Sequence, residues 1–126
     1  MNYFFIPQRQ GLLPSAAPFR QILHSRWPQA HVQEVLNPAD IHALEFRIAM
    51  THSQVYGSLN RAGDSVVFVG DIRDCAEFAL WCRSLIPPGE PATFCDESMS
   101  GSLDLDVSTT LADVLKAFSA FPEQKS

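Results

Sequence analysis

Apolar and polar positions alternate in pairs along much of the chain and shift to helical spacing in three places, so the changes of period mark out the elements. Asn2 to Ile6 is rich in aromatics and stops at Pro7, which reads as a short strand; because proline donates nothing to a ladder, that strand is expected at a sheet edge. Ser15 offers a helix cap, and Phe19, Ile22, Leu23 and Trp27 recur at helical spacing until Pro28. His31 to Leu36 is a strand ended by Asn37-Pro38. Leu44, Phe46, Ile48 and Met50 alternate with Glu45, Arg47 and Ala49, giving one buried and one wet face. Residues 51–53 and 60–64 are turn chemistry, so this strand, Gln54 to Leu59 and Ser65 to Val69 form a meander of two antiparallel hairpins.

Val66 to Val69 is apolar on both faces, the mark of a strand that is central or covered on both sides. Gly70 ends it, and Asp71 caps a long helix whose inner stripe is Ile72, Cys75, Ala76, Ala79, Cys82 and Ile86, with Phe78 and Leu85 on its flank. Pro87-Pro88 stops that helix. Ala92 to Cys95 is a strand, and 96–101 is a polar loop. Ser102 to Val107 alternates, with Leu103, Leu105 and Val107 inward and Asp104 and Asp106 together outward. Thr110 and Asp113 make a variant capping box for a last helix with the stripe Leu111, Val114, Leu115 and Phe118, ending at Phe121-Pro122. The order is β-α-β-β-β-β-α-β-β-α. Hairpins dominate it, so the expected fold is α+β in a single domain over 1–126: an antiparallel sheet of about five to seven strands with three helices.

Charge changes this picture more than composition does. Residues 1–63 carry five bases and three acids (+2), and residues 64–126 carry four bases and eleven acids (−7). An acidic half disfavours nucleic acid and anionic membrane and suits a basic protein partner, or it serves solubility alone. Three cysteines with neither CxxC nor Cys/His ligand spacing argue against a disulfide framework or zinc site and read as core thiols. The absence of a basic-then-apolar leader or a run of about 20 apolar residues makes the expected location cytoplasmic.

The strand-Gly-Asp-helix junction invites a phosphate, but Asp71 and Asp74 already occupy the helix start, and no glycine-rich phosphate motif is present. Asp96, Glu97, Asp104 and Asp106 lack EF-hand spacing and read as a solvated acidic face, so no metal or other cofactor is expected. Cys95 beside Asp96 has a raised thiol pKa, and no elbow or paired base accompanies it. A small enzyme would need a pocket that brought His52 and Cys95 together, and no enzyme activity is expected. Trp81 falls on the polar side of its helix beside Asp74 and Glu77, where it is either covered by a loop or an anchor for a partner. On the second alternative, replacing Trp81 weakens binding without unfolding the domain.

The stretch GDIRDCAEFALWCRSLIPP and the following TFCDES resemble small bacterial immunity proteins of polymorphic and contact-dependent growth inhibition toxin systems. The resemblance implies a non-enzyme that binds a cognate toxin, often a basic nuclease, through an acidic surface; the family shares no motif from which residues carry over. Joined to the charge pattern, it makes Asp74, Glu77, Trp81, Asp96, Glu97, Asp104 and Asp106 the expected partner-binding set. A second reading comes from element order: helix, three strands, helix, two strands, helix is similar to that of the dimeric acidic secretion chaperones. The leading strand and the extra strand of the meander fit that order less well, and oligomeric state is left open.

Overall fold

The computed structural model describes residues 2–98 and 101–123, the side chains of 119–123 excepted. Seven strands form one antiparallel sheet: β1 (Asn2–Pro7), β2 (His31–Glu34), β3 (His42–Ala49), β4 (Gln54–Asn60), β5 (Val66–Val69), β6 (Ala92–Asp96) and β7 (Ser102–Leu105). Three helices, α1 (Ala16–Arg26), α2 (Ile72–Arg83) and α3 (Leu111–Glu123), complete the α+β fold in the order expected from the sequence. The strands lie side by side as β2-β3-β4-β5-β1-β6-β7. The meander β2 to β5 is built from local hairpins. β1 then pairs with β5 on one side and β6 on the other, so the first strand closes the sheet.

That position corrects the edge expected for β1. Pro7 is the last residue of the strand and pairs only with Ala92 of β6, while β5 has already ended at the Phe5–Val66 pair. Its missing N–H therefore falls where a single neighbour remains, and the ladder is not interrupted.

All three helices pack on one face. The Phe19 ring of α1 meets Phe46 on β3, Phe78 of α2 meets Phe46 and Phe68, and Phe118 of α3 meets Phe94 and Tyr3. The inner row includes Phe5, Leu44, Ile48, Val55, Leu59, Val66 and Leu105, all fully buried. Gly57 belongs to this row for a steric reason: a Cβ there would lie 2.5 Å from the Phe46 ring and 2.7 Å from the Val67 carbonyl oxygen. The large Phe46 side chain takes the space that glycine leaves. β7 stops at Leu105, two residues short of the expected end, and Val107 is 69% exposed. Asp106 has left the strand to accept from the Ser108 N–H at 2.8 Å, so it does not share the strand face of Asp104.

Carboxylates hold the helix starts. Asp71 accepts from the Arg73 N–H at 2.9 Å and from its guanidinium, and Thr110 and Asp113 cap each other reciprocally as expected from the sequence. Ser15, by contrast, makes no side-chain cap. The Arg73 guanidinium holds the Asp71 carboxyl well below the ordinary carboxylate range. The Ser108 hydroxyl lowers the Asp106 carboxyl, and the Thr110 N–H lowers that of Asp113. For groups with depressed folded-state values, the stabilisation is fully present above the unfolded value of about 4 and is lost as pH falls through the folded values. The urea midpoint is therefore expected to be level above about pH 5 and to fall steadily below about pH 4. Asp71→Asn, which keeps an acceptor but not the charge, should make that fall shallower. A wild-type midpoint unchanged between about pH 4 and pH 2 would contradict this account.

Candidate partner-binding surface

The N-terminal end of α2 is closed from within. The β3–β4 turn folds over it, and the Ser53 hydroxyl accepts from the Asp71 N–H at 2.9 Å while donating to Asp74 at 2.8 Å. Asp74 also accepts from the His52 N–H at 3.0 Å and is 1% exposed. The expectation that Asp74 meets solvent on the outer side of α2 is therefore corrected: its carboxylate satisfies turn donors and offers no charge to a partner. His52 is held in this turn, and β4, β5 and β1 lie between β3 and the strand β6 that carries Cys95, so the fold does not bring those two residues together.

α1 takes the side of α2 expected to be open. The Arg26 guanidinium pairs with Glu77 at 2.9 Å and lies 4.7 Å over the Trp27 ring. Trp81 is half-buried and meets Phe19, Trp27 and Phe78, with centroids 5.6, 5.1 and 5.5 Å away. Of the two alternatives for Trp81, the covered one fits: its cover is α1. Glu77 stays accessible, but as one half of an ion pair.

The remaining acids divide again. Asp96 is 4% exposed and accepts from the Ser98 hydroxyl, which corrects its placement on a solvated acidic face. Glu97, Asp104 and Asp106 are exposed around the end of the sheet formed by β6 and β7. Glu97 accepts from the Asn2 N–H at 3.0 Å, and Asp104 accepts from the Thr93 hydroxyl at 2.8 Å. Asp113 adds a fourth exposed carboxylate at the start of α3. Among the described residues no group of three or more His, Cys, Asp or Glu is arranged to hold a metal ion.

The thiols are buried: Cys75 and Cys82 sit in the core, as expected from the sequence, whereas Cys95 lies on the outer face of the sheet beside Phe4, which corrects its placement in the core. Burial pushes Cys75 up to about 12, aided by Asp74, and pushes Cys82 well above the ordinary thiol value; burial and Asp96 raise Cys95. Thiolates are the reactive form. An aromatic disulfide reagent at pH 8 is expected to leave all three unlabelled in the folded protein and to label all three in denaturant. Rapid labelling of one thiol under native conditions would contradict the burial.

The second face of the sheet has no helix over it among the described residues. Its centre is apolar: Phe4, Val67 and Val69 are half-exposed, Ile6 is 39% exposed and Tyr56 49%. One register row crosses it through His31, Arg47, Tyr56, Val69 and Asn2, and the Glu97 N–H bonded to the Asn2 carbonyl extends that row. Sequence reasoning found the two-sided apolar character of Val66 to Val69 but did not join it to Phe4 and Ile6, because it placed β1 at an edge. No helix of the described residues is long and apolar enough to cross a membrane. In comparisons with known proteins, the chain matches no family model, no curated sequence and no solved structure.

Proposed function

We propose that this chain is a protein-binding protein of the immunity type, which neutralises a cognate bacterial toxin domain in the cytoplasm by covering its active site. One observation carries the reading. The stretch 91–115 contains five acids and no lysine or arginine, and four of those acids are exposed along the β6–β7 hairpin: Glu97 at one end, and Asp104, Asp106 and Asp113 toward the other, where Lys116 is the nearby cation. A surface of that sign attracts a basic domain such as a nuclease, speeds their encounter and repels nucleic acid. Asp104 is the residue best placed to contact the partner, since Asp106 and Asp113 also serve local caps. The protein then acts by occlusion, with no reaction and no cofactor of its own. The test is co-expression with the C-terminal domain encoded by the neighbouring gene. That domain should be toxic alone and harmless beside this chain, and continued toxicity in the pair would sink the reading.

The uncovered apolar face favours a second reading, a dimeric secretion-chaperone-like protein that binds an effector. The place of β1 in the middle of the sheet weighs against it, because that strand has no counterpart in the chaperone element order. A chaperone should bind an unfolded effector segment, whereas an immunity protein should bind a folded toxin domain.

A further inference from the structure

We propose that the uncovered sheet face is the contact between two copies of this chain, related by a two-fold axis parallel to the central strands. An antiparallel sheet with one wet face ordinarily carries polar side chains outward along each strand. Here the outer positions are Val67 and Val69 on β5 and, after Asn2 at its start, Phe4 and Ile6 on β1, with Tyr56 and the small Ser58 beside them on β4. The apolar neighbours among them form a contiguous patch that water solvates poorly.

The charges on this face select the occupant. Along the row through Tyr56, Val69 and Asn2, the basic Arg47 stands two strands to one side of Val69, and the acidic Glu97, one residue past β6 and with its Oε1 accepting from the Asn2 N–H, stands two strands to the other. A two-fold along β5 puts Val69 on Val69, Tyr56 on Asn2, and the Arg47 of each copy on the Glu97 of the other. The face is thus complementary to itself, as an isologous interface requires. The next row places Val67 on Val67 and Ser58 on Phe4, and Glu45 comes over the Cys95 strand, so no like charges meet in either row. Seven strands about 4.8 Å apart and about four residues long give a face of roughly 34 by 14 Å, or about 480 Å² per copy, at the small end of specific interfaces. The dimer is therefore a reversible one. Asp106 and Asp113 lie outside this contact, whereas Glu97 and the outward-facing Asp104 lie within it, so a partner held by those two acids competes with the second copy.

Sedimentation equilibrium of the full chain, carried to about millimolar concentration, tests this. A monomer–dimer equilibrium is expected. Arg47→Glu and Glu97→Arg should each raise the dissociation constant about tenfold or more, because symmetry repeats every pair, and the double variant should recover most of the loss. Tyr56→Ser should also weaken association. Arg47, Tyr56 and Glu97 are exposed, and circular dichroism melts check that the variants keep the fold; should one charge reversal fail that check, Arg47→Ser and Tyr56→Ser carry the test. A monomer at every concentration would overturn the proposal, as would a dimer indifferent to Arg47→Glu or a double variant as weak as the single ones. The inference does not rest on the toxin reading: either can fail while the other stands.

Discussion

Phe78→Ala is expected to lower the unfolding free energy by about 4 kcal/mol, the largest effect of any single truncation in this chain. Phe78 is completely buried at the point where α2 meets both the sheet and α1. Its ring touches Phe46 at 5.1 Å and Phe68 at 4.8 Å on the sheet side, and Trp27 at 5.8 Å and Trp81 at 5.5 Å on the helix side. Truncation removes the transfer free energy of the ring and leaves a cavity lined by aromatic groups too rigid to collapse into it. With total stabilities of about 5–15 kcal/mol, a loss of that size brings the domain close to unfolding at 37 °C. Trp81→Ala should lose less, about 2 kcal/mol, because Trp81 is only half-buried. Urea denaturation of the three proteins checks both values, and the order matters more than either number. A Trp81 variant as stable as wild type would restore that residue to the free surface.

The order of elements is legible in the sequence because the sheet is mostly local. Period-two runs broken by short turns leave β2 to β5 little choice but a meander, and the Thr110–Asp113 pair marks the start of α3 within one residue. What the sequence does not carry is which outside element arrives at a given face. A helical wheel puts Asp74 and Trp81 on the polar side of α2, but it knows nothing of the β3–β4 turn that covers Asp74 or of α1, which covers Trp81. Both covers come from residues more than 20 positions away. Asp104 and Asp106 show a different limit. Two-residue alternation continues past the end of β7, but the Asp106 side chain captures the Ser108 N–H and turns the chain out of the ladder, a local competition that period alone does not reveal. Pro7 is a matter of length: a proline is barred from a central strand only where neighbours run alongside it on both sides, and β5 has ended before Pro7 while β6 alone continues. The candidate surfaces follow from the same distinction. The acids left exposed at the β6–β7 end are those that no distant element covers, and the apolar sheet face appears only once β1 is set beside β5.

Asp74→Ala is expected to be the most damaging polar substitution, at about 3 kcal/mol. The carboxylate is buried and accepts from the His52 N–H and the Ser53 hydroxyl, so its removal leaves both donors without an acceptor inside a closed turn. Hydrogen bonds to a charged group are worth about 1.5–3 kcal/mol each, and an unmet buried donor is itself costly, while the methyl group of alanine recovers little. The damage also spreads to the helix start, because Ser53 accepts from the Asp71 N–H through the same oxygen that donates to Asp74. Asp74→Asn separates charge from hydrogen bonding: both short bonds go to Oδ2, so an amide oxygen in that place serves both donors and only the charge and the 3.3 Å contact of the His52 N–H to Oδ1 are lost, and the asparagine variant should recover most of the loss. Amide hydrogen exchange localises the effect. In the alanine variant, His52 should exchange faster relative to the core amides of β3 and β4, beyond what the fall in global stability explains. Equal stability of Asp74→Ala and wild type would mean that the turn does not depend on this carboxylate, and Asp74 would return to the set of acids available to a partner.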